Sequence, residues 1–217
     1  RQMGDELAET FASELDEGDT VILCDPVYFG GISLNVENPN PASTEPNGIK
    51  VRVPGIKSFQ LTGEALGYIP SPIPFSEAFT AVQTGVVDGV IGSGAEGYYA
   101  SFRDVTKTYI PANTHFEVWY MIISNESLAA LSAEDQAALK EQAAAFEATR
   151  WTVAEADQGR NEQRLVDELG TTVAKLSDED LAAMSAKVRA DVWPAVLEDV
   201  GAEWGQAILD KVAAASK

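Results

Sequence analysis

Residues 132 to 170 constrain this chain more than any other stretch. Ser132 caps them, Asp135 stands in a loose capping-box position, and helical composition persists to Gly170 with only Gly159 interrupting it. At 1.5 Å per residue, a helix of roughly 35 to 40 residues is more than about 50 Å long, well beyond the ~30 Å of a small domain. Such a helix lies across more than one domain, or it bends. The whole chain has 217 residues, enough for one large domain or two small ones.

Charge narrows the partners. The chain carries 34 acidic against 15 basic side chains, a net charge of -19, which repels nucleic acid and anionic membrane surfaces alike. No nucleic-acid partner is expected. A charged surface also keeps a protein soluble, so acidity by itself names no ligand. An acidic protein that binds an anion must concentrate positive charge locally. No run approaches the roughly 18 apolar residues needed to cross a bilayer. Arg1 to Glu6 lack the basic and apolar stretches of a signal peptide, so the expectation is that the signal has been removed or the start is missing. Cys24 is the sole cysteine, which excludes an intramolecular disulfide and a multi-cysteine metal site.

Ahead of the long helix the pattern alternates. Met3, Leu7, Phe11 and Leu15 recur at helical spacing up to Gly18, and Val21 to Cys24 reads as a strand. Residues 25 to 48, rich in Pro, Gly and Asn, read mostly as loop, with Val27-Tyr28-Phe29 as one apolar island. From Ile49 the order becomes strand (49–53), helix (58–66), extended segment (68–73), helix capped by Ser76 and running to Gly85, and a near-continuous apolar strand (86–91) of the parallel-sheet kind. Phe116 to Ile123 is the longest strand candidate. Beyond Gly170, one helix runs from Ser177 toward Trp193-Pro194 and another from Gly201 to the end. The fold class is α/β.

Three junctions could carry chemistry. Arg52 alternates with Val51 and Val53 and stands two residues before a Pro-Gly break. Ligands of open α/β sheets bind beyond the carboxyl ends of the strands, where a guanidinium can grip a carboxylate by two parallel hydrogen bonds. A surface arginine or a structural ion pair is the competing reading. Phe75 precedes Ser76 and faces Thr80, a poor staple partner, so its ring is either core or an apolar ligand wall. Gly92-Ser93-Gly94-Ala95-Glu96-Gly97 fits G-x-G-x-x-G after a strand, which keeps a dinucleotide-binding oxidoreductase as the alternative. Glu117 has the spacing of the acidic ribose partner but sits near the start of its strand. His115, the only histidine, has Cys24 as its one conceivable thiol partner, no G-x-S-x-G element is present, and no cofactor or metal is expected. A helical interaction module built on residues 131 to 170 is a third class. Trp151, Trp193 and Trp204 read as packing residues, whereas Trp119 alternates with Glu117 and Met121 along a possible interdomain strand.

Taken together, Gly48-Ile49-Lys50-Val51-Arg52-Val53-Pro54-Gly55 and Pro74-Phe75-Ser76-Glu77-Ala78-Phe79-Thr80-Ala81-Val82-Gln83-Thr84-Gly85-Val86-Val87-Asp88-Gly89 resemble the signature block of the DctP-type solute-binding proteins of TRAP transporters. The resemblance continues through Phe102 to Lys107 and the strand ending at Ser124-Asn125 to the long helix. It implies two α/β lobes of a periplasmic binding protein, joined by crossing strands, with a long helix (about 132–169) along the back and a small organic acid enclosed between the lobes. Residues 1–29 and 118–157 would then be what remains of an incomplete first lobe, and 30–117 with 158–217 the second.

By the same resemblance Arg52 clamps the substrate carboxylate, Phe75 lines the pocket, and the protein, a monomer without enzymatic activity, hands its ligand to membrane permease subunits driven by an ion gradient. Two departures modify this. Many members have Gln-Glu-Asn-Pro where this chain has Val90-Ile91-Gly92-Ser93, so Ser93 and Glu96 are the substitute polar contacts. Many also carry an arginine where Tyr28-Phe29-Gly30-Gly31 stands, which points away from a simple dicarboxylate. A monocarboxylate whose far end meets Tyr28, Phe29 or Trp119 is the expected ligand.

Overall fold

The computed structural model describes residues 12, 13, 15 and 17–215. Met3, Leu7 and Phe11 of the first expected helix lie outside them. The strands are β1 (Thr20–Cys24), β2 (Val27–Phe29), β3 (Gly31–Leu34), β4 (Lys50–Val53), β5 (Ile69–Pro72), β6 (Gly89–Ser93), β7 (Thr108–Ile110), β8 (Phe116–Val118), β9 (Met121–Ser124) and β10 (Thr172–Val173). The helices are α1 (Lys57–Ala65), α2 (Phe75–Gln83), α3 (Ala95–Ser101), α4 (Asn125–Ala129), α5 (Ala133–Leu169), α6 (Asp178–Val200) and α7 (Ala202–Ala215). No helix among the described residues is long and apolar enough to cross a membrane.

The chain divides into two units. One takes the described residues up to Tyr28, Glu117–Ala154 and those from Gly201 on; the other is Phe29–Phe116 with Glu155–Val200. Residues from 201, expected with the second lobe, group with the first unit instead. Gly201, at φ +92, separates α6 from α7.

The second unit is a six-stranded mixed sheet in the order β10-β7-β3-β6-β4-β5. β4 runs parallel to β5 and β6, and β3 runs antiparallel to β6 and β7. Alternation along each strand separates two cores. Ile32, Leu34, Val51, Val53, Ile91 and Ile110 meet Leu66, Tyr68 and Met184 in one. Val90 and Tyr109 meet Ala78, Val82, Tyr98, Phe102 and Leu165 in the other. The Tyr98 hydroxyl reaches the carbonyls of Val90 (2.8 Å) and Gly31 (3.0 Å), tying α3 to the sheet.

Several elements differ from expectation. β3, inside the stretch read as loop, is buried along its whole length at the centre of the sheet. Its one polar side chain, Ser33, is satisfied by the Thr106 hydroxyl at 2.7 Å. The apolar run 86–91 becomes strand only from Gly89, because the Val86 and Val87 N–H groups both donate to Ala81 O and close α2. Residues 116–123 split into β8 and β9: β8 pairs with β2, β9 pairs antiparallel with β1, and Trp119 N donates to Pro26 O between them (2.9 Å). Ser76 is not a cap. Pro74 occupies the N-cap of α2 and Phe75 is its first helical residue. Pro194 does not end α6, which continues six residues further to Val200. Packing of the α6 face that carries buried Met184 and Val192 outweighs one lost backbone hydrogen bond.

The long helix is continuous. α5 has 37 residues, capped by Ser132 Oγ, which accepts from Asp135 N at 3.1 Å and donates to Asp135 Oδ2 at 2.8 Å. Its residues up to Ala154 belong to the first unit and those from Glu155 to the second. Gly170, at φ +68, closes it.

Candidate ligand-binding site

Arg52 is the charged residue that the second unit holds most unusually. It lies on the β4 face opposite Val51 and Val53, only 4% exposed. Its Nε donates to Ile73 O at 2.7 Å, which fixes the plane of the guanidinium. Burial lowers its pKa from the ordinary value, against a smaller opposing effect of Tyr98; an arginine stays charged even so. Among the described residues no carboxylate lies within ion-pair distance. Its terminal nitrogens make no hydrogen bond there, yet they are not sealed from solvent. A nearly buried cation without an anion is costly unless something supplies the charge.

Phe75 stands beside it, with the guanidinium carbon 5.6 Å from the ring centroid. One edge of Phe75 packs on Phe102 at 5.6 Å and 76°, while 53% of the residue remains exposed. A ring anchored on one side and bare on the other can wall a ligand. The carboxyl end of β6 lies at the same place: a side chain on Gly92 would come within 3.3 Å of Arg52 Nη1. Ser93 and Glu96, both half-buried, follow at the end of β6 and in the first turn of α3.

The remaining candidates sit elsewhere. Phe29 packs edge-on against Phe116 at 5.5 Å, and its carbonyl abuts Gly94. In the first unit, Tyr28 meets Trp119 edge-on at 6.4 Å, and the Trp119 indole N–H donates to Glu117 Oε2 at 2.8 Å. Arg150, which the sequence reading passed over, is buried with its guanidinium carbon 4.3 Å from the centre of the Tyr28 ring and Nη2 3.3 Å from Val27 O. The lack of an arginine at residues 28–31 is therefore not a lack of buried positive charge in that unit. One cation among many helical residues leaves no periodic signal that would have singled it out.

The glycine pattern at 92–97 has an internal explanation. A Cβ on Gly94 would collide with the Phe29 carbonyl oxygen, and one on Gly97 with Ser93 Oγ. The first N–H of α3, on Ala95, donates to Gln158 Oε1 at 3.1 Å. The close approach that these glycines permit is to the chain itself rather than to a pyrophosphate. His115 is likewise structural: its ring lies 4.8 Å from Phe59, and Nδ1 is 2.8 Å from Thr114 Oγ1.

The first unit holds a carboxyl pair of its own. Asp25 N donates to Glu147 Oε2 at 3.1 Å, beside a cleft of about 350 Å³ lined by Cys24, Asp25, Tyr120 and Glu147 among others. Burial, then the Glu147 carboxyl, push the Asp25 pKa up to about 6.

Arg52 is thus a nearly buried guanidinium with no carboxylate partner among the described residues, set beside the exposed Phe75 ring on an α/β sheet. The family model for bacterial extracellular solute-binding protein, family 7 (DctP), matches residues 43–198, and the chain belongs to that family. A solute-binding protein of Roseobacter denitrificans is 31% identical over 182 residues, covering 81% of this chain and 54% of the relative. The C4-dicarboxylate-binding periplasmic protein DctP of Rhodobacter capsulatus is 27% identical over 158 residues, covering 72% and 46%. The chain spans about half the length of these curated relatives. A TRAP periplasmic solute-binding protein of Roseobacter denitrificans, solved with β-D-glucuronate, superposes with a TM-score of 0.74 at 25% identity over 92% of this chain and 65% of the other.

Proposed function

We propose that this protein captures a small organic acid in the periplasm, with Arg52 as the carboxylate clamp, and delivers it to an ion-gradient-driven TRAP permease without altering it chemically. The observation that carries the reading is Arg52, a guanidinium 4% exposed whose Nε is spent on Ile73 O and whose terminal nitrogens face no carboxylate among the described residues. Phe75 forms the apolar wall, and Ser93 and Glu96 supply hydrogen bonds to the ligand body. The relatives' ligands support it by shared chemistry: C4-dicarboxylates for the Rhodobacter protein and β-D-glucuronate for the Roseobacter structure all present a carboxylate.

Calorimetric titration of the full-length protein with organic acids, sugar acids and sulfonates tests the reading. A charge-assisted hydrogen bond is worth about 1.5–3 kcal/mol, so Arg52→Ala should weaken binding by about 10- to 150-fold. Undiminished binding in the variant, or a response to a dinucleotide and to no acid, would overturn it.

A further inference from the structure

Asn47-Gly48 is the only Asn-Gly pair in the chain, and both residues are exposed in the segment that leads into β4. The main chain is held on either side of them: Asn47 N donates to Gly67 O and Ile69 N to Ile49 O, each at 2.9 Å. The side-chain amide is held too, because Asn47 Oδ1 accepts from Ile49 N at 2.9 Å. A side-chain oxygen bonded two residues on folds its amide back over the intervening peptide, here that of Gly48. The Gly48 N–H donates to no group among the described residues, and Asn47 Nδ2 makes no hydrogen bond there. Gly48 has φ +74 and nothing within 4 Å of where a Cβ would stand, so its nitrogen is unshielded.

A free nitrogen, a free leaving group and a donor on the oxygen that gathers charge are the parts of an intramolecular acyl transfer. We infer that Asn47 is a site of spontaneous covalent modification, deamidation through a cyclic imide with Gly48, with water as the co-reactant. The Gly48 nitrogen gives its proton to solvent base and bonds to Asn47 Cγ, while the Ile49 N–H stabilises the oxygen of the tetrahedral intermediate. The Cγ–Nδ2 bond then breaks, and Nδ2 takes a proton from water and leaves as ammonia. Water adds to either carbonyl of the imide and breaks its bond to the ring nitrogen, giving aspartate or isoaspartate; nothing is oxidised or reduced. Each event adds one negative charge to a chain already at -19, and isoaspartate lengthens the main chain between the bond to Gly67 O and β4. The other asparagines lack this arrangement. Asn38 and Asn40 precede prolines, which have no N–H; Asn35 and Asn113 precede the β-branched Val36 and Thr114; Asn125 and Asn161 stand in α4 and α5.

The test is incubation of the full-length protein at pH 8 in heavy-oxygen water, followed by digestion in ordinary water and peptide mass mapping. The peptide that carries residue 47 exchanges its amide for an acid, takes up one heavy oxygen and separates into aspartate and isoaspartate forms. Its rate exceeds that at Asn35 or Asn113 by about tenfold or more, since β-branched neighbours crowd the attacking nitrogen there. Incubation of the same protein in denaturant gives a rate no higher than the native one, because the fold already holds the amide against Gly48. Asn47→Gln, which would need a larger ring, takes up no heavy oxygen at that position. An amide retained at residue 47, or a rate there no faster than at Asn35, overturns the inference without any variant having to fold. A native rate clearly below the denatured one also overturns it, since the fold would then protect the site. Aspartate formed without isoaspartate does so too, because direct hydrolysis would have bypassed the imide.

Discussion

At the scale of single residues, Arg52 separates a ligand-binding arginine from a structural one. A structural arginine loses stability when removed, because its partner is left unpaired. Arg52 has no carboxylate partner among the described residues and costs desolvation in the empty protein. Arg52→Met, similar in length and uncharged, gives up the bond to Ile73 O but also the desolvation cost, so the melting temperature without ligand is expected to change little, while the rise that an acid produces is removed. Paired thermal melts with and without ligand decide this, and a clear fall without ligand would mark Arg52 as structural. Asp25 gives a pH dependence. Its carboxyl holds a proton more tightly in the folded protein, with a pKa of about 6, than in the unfolded chain, where about 4 is usual. The folded state then binds more protons between those values, so stability falls as pH rises through that window. Melts at pH 5 and pH 7 should show that fall, and Asp25→Asn should flatten it by removing the carboxyl that burial and Glu147 shift. A steeper fall in the variant would contradict this assignment.

At the scale of elements, α5 was legible and β3 was not, and the difference is physical. Thirty-seven residues of helical composition with a cap at Ser132 and a glycine past the end carry their own signals. Gly31-Ile32-Ser33-Leu34 is four residues long, carries a glycine and a serine, and becomes a strand because β6 and β7 flank it. Pro194 shows the reverse, a strong local stop overridden by the packing of α6. Gly159 did not interrupt α5: it is helical, exposed and has nothing within 4 Å of its missing Cβ. Gly159→Ala should therefore raise unfolding free energy by about 0.5–1 kcal/mol. Denaturant melts would show a higher midpoint at constant slope; a lower midpoint would mean that the position needs glycine for packing.

At the scale of the whole molecule, ligand binding couples to stability. An acid at 100 times its dissociation constant should stabilise the full-length protein by about 2.7 kcal/mol. A concentration-dependent thermal shift, absent with Arg52→Ala, is the expected result; a shift shared by both proteins would place the ligand elsewhere. The sequence by itself determined what depends on neighbours along the chain: the α/β alternation from Ile49, the long helix, and the motif pieces around Arg52 and Phe75. Tertiary structure decided what depends on residues far apart. It set the insertion of β3 between β7 and β6, gave the glycines at 94 and 97 an internal use, and left Arg52 nearly sealed with no anion among the described residues. Strand order and charge neutralisation are fixed by non-local pairing and burial, which no local pattern of residues encodes.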